Sequence, residues 1–142
     1  MFRFSLEAVL RFRRSTEERE RLRLRGLQQE LKEAVQELRR LVDTAAQERA
    51  GARQAAEGGV WGAELRLRES YAESLDEMRI LQQRRIEVLE RECVQQIDKL
   101  RRERRKRETL ERLKASQEER FRLAEKRAEQ SRLDESYLLR IR

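Results

Sequence analysis

Residues 57–62 read Glu57-Gly58-Gly59-Val60-Trp61-Gly62. This is the densest cluster of helix breakers in a chain of 142 residues with 5 glycines and no proline. Glycine and proline are the strongest local punctuation in a sequence, so the fold turns on what flanks this one break. On the N-terminal side, Leu24, Leu27, Leu31, Ala34, Leu38, Leu41 and Ala45 follow alternating steps of three and four. That is the a/d seam of a coiled coil. On the C-terminal side, Leu75, Met78, Leu81, Ile86, Leu89, Cys93, Ile97 and Leu100 make a similar stripe, with one irregular step from Leu81 to Ile86. Leu110, Leu113, Gln117, Phe121, Ala124 and Ala128 resume it. The expectation is all-α: a long two-helix antiparallel coiled-coil hairpin forming a single domain over residues 1–142. Its helices span about 5–56 and 63–139, with a turn at 57–62 and Ser5 as the first cap.

Composition supports this. Charged residues make up 44% of the chain and mean hydropathy is −1.01, against roughly 25% charge in a globular domain. Such a chain builds no thick core. It is either disordered or made of helices meeting along a narrow seam. The lack of proline and the dominance of Leu, Arg, Glu, Gln and Ala, strong helix formers, favour the helices. The net charge of +7, with arginine supplying 30 of 35 basic residues, invites an acidic partner. The 28 acidic residues interleaved with them read instead as solvated faces laced with i,i+4 pairs.

Folding about the turn sets a register. Leu41 then faces Met78, Leu38 faces Leu81, Leu10 faces Leu110 and Leu6 faces Leu113. Glu17, Glu18 and Glu20 fall opposite the basic run Arg101 to Arg107, which helps fix the antiparallel sense. The second helix is the longer. Residues from about 118 onward pass the N-terminus, an overhang of roughly 35–40 Å at 1.5 Å per residue. A lone helix of that length is marginal in water, and this one carries Phe121, Leu123, Leu133, Tyr137, Leu138, Leu139 and Ile141. At the same end, Phe2, Phe4 and Phe12 supply 3 of the 7 aromatics of the chain. Taken as helical, residues 2–12 present an apolar arc of roughly 240°, against the ~100° of a surface helix. The surplus aromatics are expected to face a partner rather than a membrane surface.

Several chemistries have no residues to carry them. The chain has no histidine, so no His-based triad and no His metal site. Cys93 is the single cysteine; it makes no internal disulfide, fits a reducing cytosol and sits on the apolar stripe. No phosphate-cradling glycine motif occurs. No catalytic, cofactor-binding or metal-binding residue is expected, and the chain reads as a non-enzyme with no cofactor. Arg3, Glu7 and Arg11 interrupt the N-terminal apolar residues, so no signal peptide is read there. No apolar run approaches a membrane span. A basic coiled-coil nucleic-acid binder is the rival reading of Arg101 to Arg107, though the facing carboxylates offer those arginines an internal partner. Trp61 either caps the seam or stands as an exposed anchor at the turn.

Two end motifs resemble one family. Phe2-Arg3-Phe4-Ser5-Leu6-Glu7-Ala8-Val9-Leu10-Arg11-Phe12-Arg13 resembles the N-terminus of FliJ-type proteins of flagellar type III export. Glu129-Gln130-Ser131-Arg132-Leu133-Asp134-Glu135 is similar to a segment near their C-terminus. The resemblance implies a two-helix antiparallel coiled coil similar to the central stalk of rotary ATPases. It implies a terminal end that engages the hexameric export ATPase: here Phe2, Phe4, Leu6, Phe12, Arg13, Arg14, Phe121, Leu133, Asp134 and Glu135, with Tyr137 beside them. It further implies contact with the cytosolic domain of the export gate, mapped by position onto Leu41, Thr44, Tyr71, Leu75, Met78 and Gln82. Thr44 and Glu48 stand where family members often carry tyrosines. Export chaperones are further implied partners, nucleic acid is not, and the implied location is cytoplasmic, peripheral at the inner face of the cell membrane. The equivalent stalk of a virulence-type injectisome shares the same shape.

Overall fold

The computed structural model describes all residues, Met1–Arg142. Two helices make up the chain, α1 (Glu7–Glu57) and the longer α2 (Ala63–Ile141). The break between them is built by backbone chemistry. Gly59 has φ +86°, the left-handed conformation that glycine adopts without a Cβ clash. The Val60 N–H donates to the Ala55 carbonyl at 2.8 Å and the Gly59 N–H to the Ala56 carbonyl at 3.2 Å. This pair of bonds is a Schellman cap, which satisfies carbonyls that α1 would otherwise leave bare. Gly62, at φ +92°, starts α2 by accepting the Arg66 N–H at 3.1 Å. Glu64 lies in the first turn of α2, where the helix dipole favours a carboxylate.

The contacts divide the chain into two compact units. A terminal unit joins Met1–Arg21 to Lys99–Arg142, and a turn unit comprises Leu22–Asp98. Within each, α1 and α2 pack antiparallel: Arg49 pairs with Asp76 and Gln82 with Ala34 in the turn unit, Glu20 with Lys99 and Glu7 with Lys114 in the terminal unit.

The turn unit buries two small clusters. Ala34, Ile86 and Leu89 pack with Leu27, Leu31, Val35 and Leu38, and Leu41 packs with Ala45 and Leu75. Burying such a side chain contributes about 1.5–3 kcal/mol. The α2 seam takes a different path from the one expected. Leu75 is 3% exposed, whereas Met78 is 50% and Leu81 63% exposed, so neither faces Leu41 or Leu38. Besides Asp76, which flanks the seam and pairs with Arg49, the partly covered positions between Leu75 and Ile86 are Arg79 and Gln82. These restore strict steps of four, three and four, and the irregular step disappears. The physical reason is that long polar side chains can lie along a narrow seam with their stems covered. Gln82 donates to the Ala34 carbonyl at 3.1 Å.

In the terminal unit Leu10 is 0% exposed. Its neighbours depart from the helical wheel. Helix α1 begins at Glu7, not Ser5, and residues 1–4 are not helical. The Glu7 N–H turns back to the Phe4 carbonyl at 3.2 Å. Phe4 is thereby buried, and the Phe2 ring lies 5.7 Å from that of Phe121. Leu6 and Leu113, at 36% and 40% exposed, are only partly covered. The residues that follow them in sequence, Glu7 and Lys114, form an ion pair at 2.9 Å.

Candidate functional surfaces

Below Leu10 the seam of the terminal unit becomes ionic. Glu17 and Glu20 are buried, at positions where a coiled coil ordinarily places apolar residues. Glu17 accepts from Arg107 and from Arg21, the latter at 3.2 Å. Arg107 also donates to Glu111 at 2.6 Å, and Glu111 accepts from Arg14 at 3.2 Å. The guanidinium of Arg107 is held above its usual range by its hydrogen bond to Glu17, against the opposing effect of burial. Arg13 reaches Glu103 at 3.8 Å, and Lys106 pairs with the same carboxylate at 3.1 Å. Arg104 pairs with Glu108 at 3.8 Å. Of the expected match, Glu17 meets the basic run at Arg107, Glu20 pairs with Lys99 just before it, and Glu18 pairs with Arg21 on its own helix; Arg104 and Lys106 pair with carboxylates of α2 itself.

Beyond this network α2 runs on without cover. From Arg122 to Arg142 every residue is exposed, a helical stretch of roughly 30 Å at 1.5 Å per residue. Leu123, Leu133, Tyr137, Leu138, Leu139 and Ile141 are among its exposed apolar side chains. Asp134 accepts from Gln130 at 3.1 Å. Of the aromatics at the N-terminus, Phe12 is 56% exposed, with the Arg13 guanidinium 5.8 Å from its ring centre. Phe2 and Phe4 are turned inward. The expected ring-facing set thus separates into an outward part (Phe12, Leu133, Asp134, Glu135) and an inward part (Phe2, Phe4, Phe121) that fixes the N-terminus against α2.

A second surface lies on the turn unit. Of the six residues expected to form a lateral face, Tyr71 and Met78 are exposed, whereas Leu41 and Leu75 are core. The Thr44 hydroxyl donates to the Arg40 carbonyl at 2.7 Å, and Gln82 is held by Ala34. The structure adds Leu67, Leu81 and Val88, all exposed on the same side of α2. Following the strict heptad through Arg79 and Gln82 would have exposed this stripe, because it takes Met78 and Leu81 off the seam.

The family model described as Flagellar FliJ protein matches residues 2–142, essentially the whole chain. The chain belongs to the FliJ family. It is thus related to components of the flagellar protein-export apparatus, and the FliJ-type end motifs sit in the segments that form the two sides of the terminal unit. Neither the curated proteins nor the solved structures gave a match. No helix of this FliJ-family chain is long and apolar enough to cross a membrane. No group of three or more His, Cys, Asp or Glu side chains is placed to hold a metal ion.

Proposed function

We propose that the chain is a non-catalytic stalk that binds and stimulates the flagellar export ATPase ring and links it to the export gate. The observation that carries this reading is the bare end of α2. A lone helix with Leu133, Tyr137, Leu138, Leu139 and Ile141 exposed is marginal in water, and a ring pore would enclose it on all sides. Phe12, Leu133, Asp134 and Glu135 make the outward contacts. Phe2, Phe4 and Phe121 act by holding the N-terminus in place, Leu6 adds a partly covered apolar contact, and Arg13 and Arg14, paired with Glu103 and Glu111, border the end. For the gate, Tyr71 and Met78 are the contact residues, backed by Leu41 and Leu75, with Thr44 and Gln82 shaping the flank. Export chaperones are further partners, and the setting is the cytoplasmic face of the cell membrane. The internal pairing of Arg104, Lys106 and Arg107 weighs against a nucleic-acid role.

The test is the ATPase rate of the purified cognate export ATPase with and without this chain at physiological salt. The full chain raises the rate; a chain ending at residue 121 does not. No stimulation by the full chain, or equal stimulation by the truncated one, overturns the proposal.

A further inference from the structure

The exposed stripe of α2 has the geometry of a second seam. Tyr71, Ser74, Met78, Leu81, Arg85 and Val88 follow steps of three, four, three, four and three. Each lies one position before a residue of the seam that faces α1, hence about 100° around the helix. Tyr71, Met78, Leu81 and Val88 are all exposed. A single seam of this kind occupies one partner helix, and α1 already occupies the other side.

We propose that the occupant is a second copy of this chain, bound antiparallel about a two-fold axis. The stripe is self-complementary in that sense. Setting Met78 against Leu81 of the second copy also sets Tyr71 against Val88 and Ser74 against Arg85, and symmetry repeats each pair. A two-fold interface requires this kind of self-match. Four of its six layers are apolar on both sides. A parallel arrangement would stack Arg85 on Arg85 in the middle of the seam, where like charges repel.

The flanking charges agree. Glu77 precedes Met78, and Arg84 follows Leu81 by three. Across an antiparallel seam these two positions border the same layer, so Glu77 of each copy meets Arg84 of the other. Within the chain neither residue makes an ion pair. No basic residue stands three or four positions from Glu77 on α2, whereas Glu73 does. The pair is thus unmatched in one copy and matched in two. Because this surface includes Tyr71 and Met78, self-association hides the proposed gate contact, and the two uses exclude each other. The dimer itself does not depend on that contact.

Sedimentation velocity of the purified full chain over a concentration series tests the proposal. The expected result is a reversible monomer–dimer equilibrium. Glu77→Arg weakens it at least about tenfold, by converting two attractive pairs into two repulsive ones. The double exchange Glu77→Arg with Arg84→Glu restores it. Circular dichroism confirms unchanged helix, since both sites are exposed. Overturning results are a monomer at every concentration, a dimer indifferent to Glu77→Arg, or a double variant that stays dissociated. None of these bears on stimulation of the ATPase, which depends on the other end of α2.

Discussion

Replacing Arg79 by leucine is expected to stabilise the chain. Arg79 occupies a seam position between Leu75 and Ile86, and its Nε is buried with no hydrogen-bond partner. An unpaired buried donor costs about 1–3 kcal/mol. A fully buried leucine adds about 1.5–3 kcal/mol, of which this half-covered site recovers about half. Two effects oppose this. The arginine stem already covers apolar surface, and Arg79 contributes attraction to Asp76, three residues earlier at the flank of the seam. The net expectation for Arg79→Leu is a gain of about 1.5–3 kcal/mol. For a chain of this size that is a rise in melting temperature of roughly 5–10 °C. The assay is a far-UV circular dichroism melt of the full chain at one fixed concentration, alongside Arg79→Ala. The alanine variant removes the unpaired donor without filling the seam, so it should fall between wild type and Arg79→Leu. If Arg79→Leu melts at or below wild type, the assignment of this position to the seam is wrong.

Three further outcomes follow from the same structure. Gly26 lies inside α1 with nothing within 4 Å of an added Cβ, so Gly26→Ala should stabilise by about 1 kcal/mol, read as a higher urea midpoint at unchanged slope. The carboxyl of Asp76 is held below its ordinary 3.8 by its hydrogen bond to Arg49, and that of Glu7 below its ordinary 4.5 by its bond to Lys114. Their stabilisation is present above those ordinary values and is lost as pH falls through the lower folded values. The melting temperature should therefore drop on acidification below about pH 4.5, and Asp76→Asn should show a shallower drop. Burial, reinforced by Glu92 and Glu90, pushes the Cys93 thiol up; a thiol reagent should label it slowly in the folded chain and fast in urea.

The helices, the turn and the charge match were legible because each depends on short-range chemistry. Gly59 and Gly62 both adopt positive φ at the break. Glu17 and Glu20 meet Arg107 and Lys99 because complementary charge runs leave few antiparallel registers in which both are matched. The longer second helix follows from where the glycines fall.

Less legible was which stripe of α2 faces inward. Met78 and Leu81 stand one position from Arg79 and Gln82, and hydrophobicity alone prefers the first pair. Packing chose the second, because a strict heptad keeps every seam layer in contact with α1, and Arg and Gln tolerate such a site by covering their stems. The same choice turned Tyr71, Met78, Leu81 and Val88 outward and made a surface of them. At the N-terminus, a helical wheel places Phe2 on one face and Phe4 and Phe12 on the adjacent one, but α1 starts only at Glu7. Residues 1–4 are free of helical geometry and fold Phe4 into the interior.

Two helices of unequal length, one glycine turn between them and an ionic match near the ends can be read from the residues alone. Those features are properties of the chain's own periodicity, breakers and charge order. Which apolar residues became core and which became surface was set by packing between the helices. Two stripes about 100° apart on one helix are equivalent to local propensity, and the packing of α1 against one of them made them different.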